Sequence, residues 1–250
     1  MRPVYLLLGL SFIALLMVGC SSSEQPVPSA PIHDLEATVQ AIVQKELPKI
    51  VLTPTPVSLS GCTSAVQCTD IGDNYGDHEI NKALPYYTDA IRLNPNYARA
   101  YFKRGYAYGK LGQNEKAIED YTEVIRLDPK SATTYYNRGL NYARHLGQYE
   151  RGIEDFTEAI RLDPNNSTYY NNRGLSYYHL DQPERAIEDY TEAIRLDPKY
   201  VSPYYNRGLV YGKLDQYERA LEDFNEAIRL DPDSEELREM RSLVLEILGR

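Results

Sequence analysis

Between residues 96 and 232, small and apolar residues recur in an order that predicts pairs of short amphipathic helices. In one pair, Tyr101, Gly105 and Tyr108 mark a face of the first helix, and Ala117, Tyr121 and Val124 mark a face of the second. The order returns as Tyr170, Gly174 and Tyr177 with Ala186, Tyr190 and Ala193. It returns again as Tyr204, Gly208 and Tyr211 with Ala220, Phe224 and Ala227. Each second helix closes on Ile-Arg-Leu-Asp/Asn-Pro. The closing prolines, Pro95, Pro129, Pro164, Pro198 and Pro232, are spaced 34, 35, 34 and 34 residues apart. A fixed period of this kind marks a solenoid, whose units cannot bury their apolar faces alone and stack on one another. Glycine and alanine lie where helices approach closely, and aromatic rings fill the space between them. Arrays of this type are binding surfaces, so the expectation is a groove rather than a catalytic pocket.

The aromatic-Gly-Tyr first helix, the Ala-aromatic-Ala second helix and the period together resemble the tetratricopeptide (TPR) repeat. The resemblance implies an all-α, right-handed helical-hairpin solenoid carried on an N-terminal flexible tether. Its full units would be 96–129, 130–164, 165–198 and 199–232. The third of the five phrases closes a unit that departs twice. It carries one extra residue near Arg144-His145, expected to lengthen the inter-helix turn, and it has Gly152 where alanine is usual. Gly152 should weaken its helix by about 1 kcal/mol relative to alanine. Residues 62–95 form a degenerate first unit. Its second helix is legible in Lys82-Ala83-Leu84, Tyr87, Ala90 and Ile91, with Pro85 expected to delay or kink it. Its first helix would have to come from around Gly72-Asp73-Asn74-Tyr75, one residue out of register. Within residues 233–250, Leu237, Met240, Leu243, Val244, Ile247 and Leu248 form one stripe of a capping helix.

The start of the chain has another pattern. After Arg2, an apolar run from Val4 to Gly19 is too short to span a bilayer comfortably and is laid out as a signal peptide, residues 1–19. Leu16-Met17-Val18-Gly19-Cys20 resembles the lipobox of bacterial lipoproteins, with Met17 where leucine is usual. That resemblance implies diacylation of Cys20 and cleavage before it. An ordinary signal peptide or short membrane anchor with an incidental cysteine is the alternative. Residues 20–61 then form an acylated tether with Ser/Pro/Thr-rich linkers at 21–31 and 53–61. Between the linkers, Ile32, Leu35, Val39, Ile42, Val43 and Leu47 predict one amphipathic helix over about 32–47. It could pair with a second copy, dock onto the solenoid or lie on the membrane; with only Lys45 and Lys49 as basic residues, the last is the weakest.

Composition narrows the function classes. Net charge is −9, arising mainly from Glu-Asp pairs on the second helices, so nucleic-acid binding lacks a basic face. The 23 tyrosines, with no tryptophan, fall mostly at recurrent helical positions and read as packing. His33, His78, His145 and His179 are scattered, with no nucleophile motif or phosphate loop beside them. No catalysis, cofactor, metal site or small-molecule substrate is expected. Arg104, Arg138, Arg173 and Arg207, each just before the first-helix glycine, predict a ladder of structural ion pairs with second-helix acids. Such pairs contribute about 0–1 kcal/mol each if exposed. Cys62 and Cys68 precede the array; an extracytoplasmic location permits a disulfide, and two free thiols are the alternative.

In TPR proteins the first helices line the concave surface. Carried over, the residues two before each glycine are Lys103, Asn137, Asn172 and Asn206. This resembles the asparagine ladder of O-linked N-acetylglucosamine transferases, where amides hold a peptide backbone, here without the transferase's catalytic domain. An amide donates and accepts at once, so it can grip an extended main chain of any sequence. The alternative is that these asparagines follow a repeat consensus and cap or hydrate the groove. Phe102, Tyr136, Asn171 and Tyr205, then Tyr106, Leu140, Leu175 and Leu209, would lie beside them, with Lys110, Arg144, His179 and Lys213 at the fringe. Such a groove suits an extended, acidic polypeptide. Phe102 and Tyr106 replace the lysine and asparagine of the family's chaperone-tail clamp, which argues against that ligand. The leading reading is a non-catalytic scaffold that binds a protein partner while lipid-anchored to the extracytoplasmic face of a bacterial membrane. The alternatives are a self-assembling envelope lipoprotein or an accessory factor recruiting an envelope enzyme.

Overall fold

A glycine on one helix facing an aromatic ring on the next is the contact that builds the structure. In the computed structural model, which describes residues 61–250, a Cβ added at Gly174 would stand 2.9 Å from Tyr190 Cε1. One at Gly208 would stand 2.8 Å from Phe224 Cε1, one at Gly139 2.9 Å from Phe156 Cε1, and one at Gly105 3.2 Å from Tyr121 Cε1. The rings are almost fully buried, as are Ala117, Ala186 and Ala220 one turn before them. The helical propensity lost at glycine is thus exchanged for burial of a large ring against backbone.

The described residues form 11 α-helices and no strand. They are α1 (Ala65–Asp73), α2 (Ile80–Leu93), α3 (Ala98–Lys110), α4 (Asn114–Leu127), α5 (Ala132–Leu140), α6 (Tyr149–Leu162), α7 (Ser167–His179), α8 (Pro183–Leu196), α9 (Val201–Lys213), α10 (Tyr217–Leu230) and α11 (Glu235–Ile247). Odd helices up to α9 are first helices, even ones second helices, and each packs on its chain neighbours. The closing phrase of three repeats has a local cause: Asn94, Asp128 and Asp197 accept the N–H two residues on at 3.0, 3.1 and 3.0 Å, an Asx turn around the proline.

The arginine ladder is present and more buried than a surface estimate assumes. Arg104, Arg138, Arg173 and Arg207 each grip Asp120, Asp155, Asp189 and Asp223 through Nε and Nη2 at 2.7–2.9 Å. Each also donates Nη1 to a threonine of the preceding repeat, Thr88, Thr122, Thr157 or Thr191. The four carboxylates are buried. Burial pushes them above the usual carboxylate range despite the guanidinium beside each.

The extra residue of the 130–164 unit does not lengthen the inter-helix turn. In regular units, Gln113, Gln182 and Gln216 donate their N–H to Tyr108, Tyr177 and Tyr211 O at 2.9 Å; here Gln148 makes the same bond to Tyr142 O at 2.8 Å. The added residue is absorbed inside the helix, as a π turn over Asn141–His145 that continues α5. Gly152 follows from it: an added Cβ would meet Ala143 Cβ at 2.6 Å and Gly139 O at 3.2 Å. In the 96–129 unit the small residues are exchanged, Gly109 facing Ala117. Gly152 therefore makes room for Ala143, and alanine there would clash rather than stabilise.

The first unit also departs from expectation. Its first helix is α1, beginning at the Ser64 cap, with Gly72 near its end against Tyr87; Asn74–Gly76 form the turn after it. A 3₁₀ turn, Asp77–Glu79, leads into α2, which begins in register with the other second helices and runs through Pro85 without delay. Asp73 accepts from Tyr87 (3.0 Å) and Arg99 (2.7 Å) and pairs with Lys103 (3.2 Å). Burial raises its carboxyl, but these three partners outweigh it and hold the group below the usual range. Cys62 and Cys68 are joined as a disulfide with Cα atoms 5.3 Å apart. Reducing it should lower hydrogen-exchange protection of α1 by about 2 kcal/mol, leaving α9 and α10 unchanged because contacts pass only between neighbours. Equal loss along the chain would show that the array opens as one block instead.

At the other end, Ser234 caps α11, and Leu237 and Val244 are buried against the last repeat. The predicted stripe is wider than the contact: Leu243 and Ile247 are 51% and 52% exposed. The expected signal peptide, Cys20 and the expected 32–47 helix lie outside the described residues.

Candidate binding groove

First helices of successive repeats touch one another, α1 on α3 and α7 on α9, and so share a face. Polar links cross that face. Asn206 Nδ2 donates to Asn171 Oδ1 at 3.0 Å, joining α9 to α7. Asn172 Nδ2 donates to Thr168 O at 2.8 Å and to the Tyr136 hydroxyl at 3.4 Å, joining α7 to α5. Asn137 is half-buried, and its amide makes no hydrogen bond among the described residues. Lys103, the fourth member of the row, is tied to Asp73. The predicted ladder is therefore a mixture: Asn137 is free, Asn172 keeps Oδ1 as an acceptor, Asn206 is partly engaged and Lys103 is neutralised.

The neighbouring positions divide likewise. Asn171 is buried and serves as the link to Asn206, so it is not available to a ligand. Phe102 packs edge-on to Tyr121 with ring centres 5.8 Å apart. Tyr136 lies between Tyr169 and Phe156 at 5.0 and 5.9 Å, and burial pushes its hydroxyl up to about 12. Tyr205 sits 6.1 Å from Phe224 and donates to Glu236 Oε1 at 2.6 Å; burial and that bond raise it to about 12 as well. Both phenols are protonated donors at neutral pH. Tyr106 donates to Asp77 Oδ2 at 3.0 Å, and Leu209 packs beside Phe224 and Val244.

Leu140 and Leu175 line a cavity of about 300 Å³, with Ala143, Arg144, Tyr149, Phe156, Asn172, Ser176 and His179. The sequence placed several of these on one face but gave no reason for a hollow; its signal was the one-residue insertion. Among the fringe cations, Lys110 faces Asp77 at 3.5 Å and Lys213 faces Asp181 at 2.6 Å. Arg144 and His179 have no ion pair among the described residues. No group of three or more His, Cys, Asp or Glu able to hold a metal occurs among them, and none of their helices is long and apolar enough to cross a membrane.

The tetratricopeptide repeat profile matches residues 98–131, 167–200 and 201–234, and a second TPR profile matches 79–112 and 141–181. The chain is a TPR protein. TPR repeat proteins are non-catalytic scaffolds. Among solved structures it is similar to MamA, at 25% identity and a TM-score of 0.63 over 67% of this chain and 92% of that one. MamA from Desulfovibrio magneticus RS-1 aligns at 22% identity and a TM-score of 0.64 over 68% of this chain and 97% of that one. YrrB, described as a TPR protein with an unusual peptide-binding site, aligns at 21% identity and a TM-score of 0.62, over 74% and 92%. The likenesses to D. magneticus MamA and to YrrB speak for the fold alone. No curated protein matches the sequence significantly.

Proposed function

We propose that this TPR protein holds an extended segment of a partner protein along its inner face, while acylated Cys20 keeps it on the outer side of a bacterial cytoplasmic or outer membrane. The observation that carries the groove reading is the free amide of Asn137 in a row with Asn172 Oδ1, on a face lined by buried-ring aromatics and leucines. The Cys62–Cys68 bridge supports the location, because disulfides persist in oxidising, extracytoplasmic compartments.

The test begins with random linear peptides displayed on phage and selected on the full chain, then titrated as labelled synthetic copies. Asn137→Ala should weaken them about fivefold, the worth of one net hydrogen bond, with an unchanged melting temperature, since that amide has no partner to lose. Asn172→Ala and Asn206→Ala should lose both affinity and stability. If Asn137→Ala binds every selected peptide as the parent does, the inner face is not the site. Half-exposed Leu243 and Ile247 at the array end favour a second reading, self-assembly. Light scattering decides between them: the scaffold runs as a monomer, whereas a dimer disrupted by Ile247→Lys supports assembly.

A further inference from the structure

We propose that the hollow beside the π turn is the specificity pocket of the groove. It takes one large aliphatic or aromatic side chain of the bound segment, with a carboxylate on the adjoining residue paired to Arg144. The inference rests on the groove reading above and adds what the partner must carry.

Three observations converge on it. The first is the chemistry of the hollow. Phe156, buried, and Leu140, Leu175 and Ala143 give it an apolar lining, while Asn172, Ser176, His179 and Arg144 supply polar groups. Its volume, about 300 Å³, is at the small end for small-molecule pockets and suits a single large side chain. One wall is held in place: the His179 ring lies flat on Tyr149, centres 4.6 Å apart and planes 10° apart. Another polar group is oriented: Asn172 spends its N–H donors on Thr168 and Tyr136, leaving Oδ1 to accept a main-chain N–H.

The second is charge. Lys110 and Lys213 hold the place of Arg144 in their own repeats, and each is neutralised by an aspartate. Arg144 is exposed and makes no ion pair or hydrogen bond among the described residues. The hydroxyls electrostatically coupled to it are those of Tyr136 and Tyr200. In a chain of net charge −9, an uncompensated guanidinium at an apolar hollow selects an anionic neighbour for whatever enters it.

The third is the insertion itself. The Tyr142–Gln148 hydrogen bond keeps the end of the helix pair in the form used by regular repeats, so the added residue is confined to the π turn that carries Ala143 and Arg144. Gly152 accommodates the displaced Ala143. A π turn costs helical hydrogen bonding and recurs where a helix shapes a functional site. Here it shapes the hollow's lining while the inter-helix turn keeps its regular hydrogen bond.

Peptides selected from the random phage library on the full chain should place Asp or Glu beside Leu, Ile, Phe or Tyr. Arg144→Gln should weaken labelled copies by about tenfold, and reselection on that variant should lose the acidic preference. A variant lacking His145 and carrying Gly152→Ala restores a regular repeat; it should melt at or above the parent and lose the apolar preference. If that variant does not fold, Arg144→Gln decides alone. Peptides that depend on Asn137 but carry no acidic-apolar pair, or that bind Arg144→Gln like the parent, overturn the pocket and leave the groove standing. Absence of enriched peptides, or binding indifferent to Asn137, overturns the groove and the pocket with it.

Discussion

Replacing Arg173 with methionine should destabilise the array by on the order of 3 kcal/mol, most of it from the stranded carboxylate rather than from the lost contacts of the guanidinium with the Tyr170 and Tyr177 rings. The guanidinium donates to both oxygens of Asp189 at 2.8 and 2.7 Å and reaches Thr157 of the preceding repeat at 3.2 Å. Asp189 is only 5% exposed. Deleting the cation strands a buried carboxylate, and that penalty exceeds what the pair contributes over water. The sign with pH follows from the same burial, which already lifts Asp189 above the usual range. Without Arg173 the folded-state pKa rises further, so the folded variant binds a proton more tightly than the unfolded chain. The deficit is then fully developed above that raised pKa, and it shrinks as pH falls toward the unfolded value of about 3.9. Urea midpoints at neutral and acidic pH read it directly, and adding Asp189→Asn should recover part of the loss. A change within about 0.5 kcal/mol at neutral pH would place the ladder with solvated surface pairs.

The helix pairs of the array were legible because each constraint recurs. The glycine that receives a ring, the alanine one turn before it and the Asx turn at the proline are each set by contacts inside a single unit, so one unit teaches the next. The arginine-aspartate pairing was legible for the same reason, but its burial was not: exposure depends on how Thr157 and its equivalents close over the pair from the neighbouring repeat. The insertion at 141–145 defeated the reading because an extra residue fits a turn or a helix equally well on spacing alone. The Tyr142–Gln148 bond, invisible in sequence, decides for the helix. Gly152 then changes meaning, from a weak helix residue to the complement of Ala143. The asparagine row was placed by register, yet register says nothing of which amides are already spent. Asn206 is linked to buried Asn171, and Asn172 to Thr168 and Tyr136, leaving Asn137 as the clean probe of the face.

Substituting Cys20 with serine in the full chain should abolish incorporation of an alkyne-labelled palmitate and leave the Val4–Gly19 run uncleaved, since processing at a lipobox follows acylation of the thiol. The apolar run is too short to span a bilayer comfortably, so on the lipoprotein reading durable attachment comes from acyl chains. One chain gives only marginal, reversible binding, while the two on a diacylated cysteine suffice, each buried methylene adding about 0.8 kcal/mol. The second arm removes the run itself: a chain beginning at Ser21 should partition wholly into the aqueous phase of a detergent separation, with the repeats folded as before. Residues 21–31 are Ser/Pro-rich in sequence, so on the same reading the anchor and the array are separable, and the peptide affinities of the soluble form should equal those of the parent. Palmitate label retained by Cys20→Ser, or normal cleavage of that variant, would overturn the lipoprotein reading in favour of an ordinary signal peptide. The partner's groove would then be presented by a free secreted scaffold.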